Sequence, residues 1–223
     1  MTRDPDFEEF IETFGEATFS QEVPASALAG WKGRLPEQLL KYWHSEGWCA
    51  YRDGLFWTVD PGGYEELVEV WLEGTKLSTL DRFHVFARSA FGNLFLCGEK
   101  TGPVVTLDGV LHTFSAITPD LRPKNDEVLD DEIRDFFLGM TVEYTDVEDE
   151  NGRPLFKRAL KRLGPLAADE MYGFEPAVVL GGEMDLANLV KVKMIPHLQA
   201  LRERQPVRPL FNERETEWLS KDR

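Results

Sequence analysis

An α+β fold is what the sequence predicts: antiparallel or mixed sheets with packed helices, in two closely associated subdomains. Three observations point there. Residues Phe83 to Thr106 read as three short strands in succession. Phe83, Val85 and Ala87 alternate with His84, Phe86 and Arg88, and Phe91-Gly92-Asn93 turns the chain. Leu94 to Cys97 is then nearly all apolar, as in a strand covered on both faces, and Val104-Val105-Thr106 follows a second turn. On either side of this run, apolar residues recur at helical spacing. Finally, two Asp-Gly pairs, Asp53-Gly54 and Asp108-Gly109, sit between strand-like runs, which is the composition of a hairpin turn. The order of elements divides the chain into residues 1–80, residues 81–211 and a polar tail, 212–223.

Taken in order, Asp6 to Phe14 places Phe7, Phe10, Ile11 and Phe14 on one helical face with Glu8, Glu9 and Glu12 outward, and Gly15 stops it. A looser piece from Val23 includes Trp31. Leu35-Pro36 opens a helix with Leu39 and Trp43 inward, closed by Gly47. Trp48 to Tyr51 and Leu55 to Thr58 form the first hairpin. Asp60-Pro61 starts a helix whose stripe is Tyr64, Leu67, Val68, Trp71 and Leu72, with Glu65, Glu66, Glu69 and Glu73 as an outer acidic face of the kind that is usually just solvated.

After the central strands, Leu111 to Phe114 is a further strand and Thr118 to Lys124 a loop. Asn125 caps a helix to Leu138 with Leu129, Ile133, Phe136 and Phe137 inward. Glu143 to Gly152 reads as an exposed acidic loop. Pro154 to Leu163 is a helix with Lys157, Arg158, Lys161 and Arg162 outward. Ala177 to Gly182 is strand-like, Leu189 to Met194 is one more strand, and Pro196 to Arg204 a last helix.

The balance of 25 Lys and Arg against 40 Asp and Glu gives a formal net charge of -15. That opposes direct binding to nucleic acid, where affinity comes largely from neutralising phosphates, and favours an encounter with a basic partner. There is no apolar run of membrane-spanning length and no basic start followed by an apolar core, so the expectation is a cytoplasmic protein without a membrane partner. The two cysteines, Cys49 and Cys97, read as reduced core residues.

No catalytic constellation stands out. The four histidines, His44, His84, His112 and His197, lie outside metal-ligand spacing of one another or of a cysteine. Gly98 to Gly102 lacks the spacing and the GK[ST] ending of a phosphate loop, and reads as a hairpin turn. The carboxylates of Asp146, Glu148, Asp149 and Glu150 suit a hard cation in type but not in spacing, so a solvated or partner-binding loop is the better reading. The expectation is therefore no enzyme, no cofactor, no metal and no small-molecule substrate.

Two stretches resemble a known family: Phe91-Gly-Asn-Leu-Phe-Leu-Cys-Gly-Glu-Lys100, and Asp169-Glu-Met-Tyr-Gly-Phe-Glu-Pro-Ala-Val-Val-Leu-Gly-Gly182 continued by Asn188 to Val192 and His197-Leu198. They resemble the uncharacterised domain that follows a GAD-like domain in bacterial immunity proteins. Leu35-Pro-Glu-Gln-Leu-Leu-Lys-Tyr-Trp43 through Trp57-Thr-Val-Asp-Pro61 looks like the GAD-like domain itself. The resemblance implies a cytosolic antidote to a type VI secretion nuclease, binding that toxin and occluding its active site. It brings no catalytic residue with it. The acidic groups Asp126, Glu127, Asp130 and Asp131, at a helix start, and Asp146, Glu148, Asp149 and Glu150 are the candidate contacts with such a partner. Two other readings stay open: a translation-linked binding module, since GAD-type domains also occur in tRNA-charging enzymes, and a hydrolase, which a large pocket beside a pKa-shifted His–carboxylate pair would favour. The alternative scaffold is the SMI1/KNR4-like fold, echoed only by Leu35-Pro36.

Overall fold

The computed structural model describes residues 3–116 and 120–210. Helix α1 (Pro5–Phe14) begins where the Asp4 carboxylate accepts from the Asp6 and Phe7 amides. Strand β1 (Ala17–Gln21) follows, then α2 (Ala25–Trp31) and α3 (Glu37–Glu46). Strands β2 (Trp48–Tyr51) and β3 (Phe56–Thr58) flank a turn in which Arg52, Asp53 and Gly54 all take positive φ. Helices α4 (Glu65–Leu72) and α5 (Leu77–Leu80) lead into a meander of β4 (Phe83–Ser89), β5 (Leu94–Gly98), β6 (Gly102–Asp108) and β7 (Thr113–Ala116). Then come α6 (Asp126–Leu138), α7 (Val142–Thr145), α8 (Phe156–Leu163), β8 (Glu170–Phe174), β9 (Leu189–Lys193), α9 (Met194–Arg204) and β10 (Arg208–Pro209).

Eight strands make one sheet in the order β1-β2-β3-β4-β5-β6-β7-β10, and β8 and β9 pair separately. Neighbours from β1 to β7 are antiparallel, while β10 lies parallel to β7, so the large sheet is mixed. The sheet runs through the division expected near residue 80: Phe56, Trp57 and Thr58 of β3 pair with Ser89, Arg88 and Ala87 of β4. The α+β class is as the sequence indicates.

Side chains alternate across a strand, so Phe56 and Trp57 point to opposite faces. Phe56 enters a cluster with Phe10, Phe14, Tyr51, Phe95, Phe136 and Phe137, ring centroids 5.4 to 6.5 Å apart. This cluster seals α1 and α6 onto the sheet; each fully buried phenylalanine contributes about 1.5–3 kcal/mol of apolar transfer. Trp57 instead lies under the Arg88 guanidinium, 4.4 Å from the ring centroid.

Several elements differ from the sequence expectation. Ala177 to Gly182 is not a strand. Val178–Leu180 forms a 3₁₀ turn, with the Leu180 and Gly182 amides both donating to the Ala177 carbonyl, and the strand lies earlier, at β8, where β9 supplies a partner. The strand expected at Leu111 to Phe114 starts two residues later. Asp108 Oδ1 accepts from the Val110 and Leu111 amides and His112 takes φ 54°, which lengthens the turn. The loop expected from Glu143 overlaps α7, capped by the Thr141 hydroxyl. The expected tail, 212–223, and Thr118 and Pro119 lie outside the described residues.

Candidate partner-binding surface

The eight acidic residues singled out in the sequence divide by what they do. Asp126 and Glu127 sit exposed in the first turn of α6, where the helix dipole favours negative charge. Asp130 does not face out freely. Its Oδ1 accepts from the Gln38 amide at 2.8 Å and ties α6 to the start of α3. Asp131 is exposed and pairs with Arg134 at 2.6 Å; Arg134 in turn donates to Gln38 Oε1.

In the second group, Asp146 Oδ1 accepts from the Val147 and Phe156 amides, so it shapes the entry to α8, and burial pushes its pKa up. Asp149 has a side chain with 0% exposure. It accepts from the Asn151 and Arg153 amides and from the side chains of Arg153 and Arg158, at 2.7 to 3.1 Å. The Arg153 side chain first, then that of Arg158, holds its carboxyl well below the usual carboxylate range. Glu148 and Glu150 are exposed. Thus Asp126, Glu127, Asp131, Glu148 and Glu150 reach solvent, whereas Asp130, Asp146 and Asp149 are used inside the fold. No hydrogen bond or ion pair joins the two groups among the described residues.

A second acidic surface lies elsewhere. A groove of about 810 Å³ runs between α4, α5 and the start of β4. Its apolar lining includes Val68, Leu72, Leu80 and Phe83. Glu65 and Glu69 lie one turn apart on one face of α4 beside it, and Glu73, just past the helix end, lines it too. Asp81 also lines it but spends one carboxylate oxygen on the Lys100 and Thr101 amides and the Thr101 hydroxyl, each 2.9 Å away.

At one end stands His84, whose side chain is 1% exposed. Its Nε2 is 3.0 Å from Glu99 Oε1, and its ring meets Trp31 edge-on at 4.9 Å. Arg34 reaches both Glu99 (3.0 Å) and Glu65 (3.3 Å), with its guanidinium 4.5 Å from the Trp31 centroid. Arg82 takes the other oxygen of Glu65. Burial lowers the His84 pKa, so the ring is neutral near pH 7. Burial works against the Glu99 charge, yet hydrogen bonds from His84 and Arg34 leave its pKa below the ordinary value.

The remaining candidates for chemistry are occupied or sealed. His112 is buried; its Nε2 donates to the Gln205 carbonyl at 2.9 Å and its ring packs on Trp71. Cys49 and Cys97 are free and buried, and burial raises both thiol pKa values, so neither is a ready nucleophile. Of the basic stripe on α8, Arg158 is held by Asp149, and Arg162 donates to the Leu186 and Ala187 carbonyls. Among the described residues no group of three or more His, Cys, Asp or Glu could hold a metal ion, and no helix is long and apolar enough to cross a membrane.

The groove was not legible as a site in the sequence. Its wall comes from three separate segments, 65–74, 78–84 and 99–100, which only the packing of α4 on β4 brings together. The one signal was the glutamate stripe on α4.

Three comparisons bear on identity. Residues 6–111 match the GAD-like domain family. Residues 130–203 match the family described as T6SS immunity protein Tdi1, C-terminal. Among solved structures, the crystal structure of Atu4351 from Agrobacterium tumefaciens is similar, with a TM-score of 0.80 over 94% of this chain and 95% of that one, at 23% identity. That likeness is one of fold. No curated protein matches.

Proposed function

We propose, from a chain that carries a GAD-like domain followed by a type VI secretion immunity protein Tdi1 C-terminal domain, that this protein binds a nuclease toxin and blocks its active-site cleft. The observation that carries the reading is the order and extent of the two family matches. The charge supports it. A nuclease offers a basic surface to DNA phosphates, and a protein of formal net charge -15 is attracted to that surface over long range. Complementary charge speeds encounter, while buried apolar and aromatic contacts slow dissociation. The inhibitor needs no chemistry of its own. The exposed carboxylates Asp126, Glu127, Asp131, Glu148 and Glu150 are the contacts this reading assigns from the sequence-derived set. The place of action would be the cytoplasm.

One observation favours a hydrolase instead: the His84–Glu99 pair beside the groove. A nucleophile is what that reading lacks. The nearby Ser78 and Thr79 hydroxyls donate to the Thr75 and Lys76 carbonyls, and the polar groups against the His84 ring belong to Glu65, Glu99 and Arg34. An inert binder is the better account.

The test is co-expression with each type VI secretion nuclease toxin encoded in the same genome. The expected result is a complex that survives purification and protects cellular DNA. Free nuclease and degraded DNA in the presence of folded protein would refute it.

A further inference from the structure

The groove beside α4 holds an unmet hydrogen-bonding demand that says what would fit it. His84 Nε2 lies 3.0 Å from Glu99 Oε1, so in a neutral ring the proton belongs on Nε2, where it donates to the carboxylate. The opposite tautomer would set a lone pair against Glu99 at that distance. Nδ1 is then a bare acceptor. It is buried, makes no hydrogen bond, and lies 3.4 Å from Glu65 Oε1, which is also an acceptor. Two acceptors 3.4 Å apart at the wall of a groove call for a donor beside them that can serve both. Buried polar atoms without partners are uncommon, and each one needs a reason.

Carboxylates outnumber the two bases, Arg82 and Lys100, in the groove lining, and this excess selects the kind of donor. Glu69, on the α4 face of Glu65, and Glu73, at the helix C-cap, are exposed, with no ion-pair partner among the described residues. Val68, Leu72 and Phe83 line the groove with apolar surface, against which the methylene stem of a long cationic side chain can lie. A guanidinium combines several N–H donors in a planar fork with a permanent charge, and so can serve His84 and carboxylates together.

We propose that this groove is the docking slot for an arginine side chain projecting from the toxin, its N–H groups taken by His84 Nδ1 and Glu65 and its charge drawn in by Glu69 and Glu73. The inference rests on the reading of the protein as a toxin-binding inhibitor and names a surface for it distinct from α6. Arg34 already shows the geometry from within the chain: its guanidinium spans Glu65 and Glu99 while lying over Trp31.

The experiment measures association of this protein with the nuclease toxins of that co-expression test at low salt, for wild type, for Glu69→Lys with Glu73→Lys, and for Asp126→Lys with Glu127→Lys. Both pairs are exposed, so both variants should fold, which circular dichroism checks. The groove variant is expected to lose about tenfold or more in association rate, a size typical of steering charges. His84→Phe, which keeps the ring and removes the acceptor, is expected to speed dissociation while melting within a few degrees of wild type. If wild type binds and the groove variants bind equally well, the slot is wrong and the inhibitor reading stands. If wild type does not bind at all, both fall. A binding loss confined to the α6 variant would also overturn the slot.

Discussion

The aromatic residues of this protein fall into two sets that work differently. The phenylalanines around Phe56, Phe95, Phe136 and Phe137 meet other rings, with centroids commonly 5 to 6.5 Å apart, and need only shape. Three tryptophans instead each cover a buried polar group: Trp31 meets His84, Trp57 meets Arg88, and Trp71 meets His112. Arg88 is 0% exposed and donates to the Ser89 and Ala168 carbonyls, which ties the segment before β8 to the large sheet. The first set seals α1 and α6 to the sheet by packing. The second holds β4, α9 and the loop before β8 by directional bonds, and one of its members, His84, lines the groove. Stability comes cheaply from apolar contact, whereas a specific surface needs polar groups held in fixed geometry.

The sharpest break of that contrast is Phe137→Ala. The ring is fully buried and touches α1, α3 and the sheet, so the loss should be about 3–5 kcal/mol in urea unfolding. It should be independent of pH. A loss under 1 kcal/mol would show that the cluster is not the main seal.

Arg88→Met comes next. Replacing a buried charge by an apolar chain can be neutral or stabilising when its partners leave with it. Here the Ala168 carbonyl loses its Arg88 donor and the Ser89 carbonyl keeps only the Gly92 amide at 3.4 Å, so the expected cost is about 1–3 kcal/mol, with faster amide exchange at Tyr172, whose amide donates to the Ala90 carbonyl in the adjoining turn. A stabilised variant would reclassify Arg88 with the phenylalanines.

Histidine titration separates the two sets without altering packing. Burial lowers the pKa of His84, His112 and His197 below the unfolded value of about 6.5. The unfolded chain therefore binds more protons in that window. The stability these groups contribute is complete above about pH 6.5 and is lost as pH falls through their folded pKa values. Thermal melts should drop below pH 6.5, and His84→Phe combined with His112→Phe should flatten that limb. An unchanged slope would mean these rings do not carry it.

The smallest effect belongs to Asp126→Lys with Glu127→Lys. Both residues are exposed at the start of α6, so stability should fall by about 0.5–1 kcal/mol through the helix dipole. A loss above 2 kcal/mol would mean they have an internal role like that of Asp149.

The sequence showed the helices that carry a strong apolar stripe, α1, α3, α4, α6 and α8, because their periodicity is local. It missed β1, whose five residues are all exposed and show no alternation; only pairing with β2 makes them a strand. It missed β10, two residues that join the sheet through β7. It placed a strand at Ala177 to Gly182 because Val-Val-Leu has strand composition, but among the described residues those have no strand to pair with, and Val178–Leu180 forms a 3₁₀ turn. For the surface, it could count carboxylates but not see which were used inside the fold. Asp149 and Glu150 are alike in sequence, yet two arginines converge on the first, and the second is exposed.

The most direct measurement is a titration of the nuclease with this protein, following DNA cleavage. The account predicts activity falling linearly to zero at one equivalent, with no further change on longer incubation and no modification of either protein. Full inhibition far below one equivalent, or cleavage persisting in a saturated complex, would contradict it.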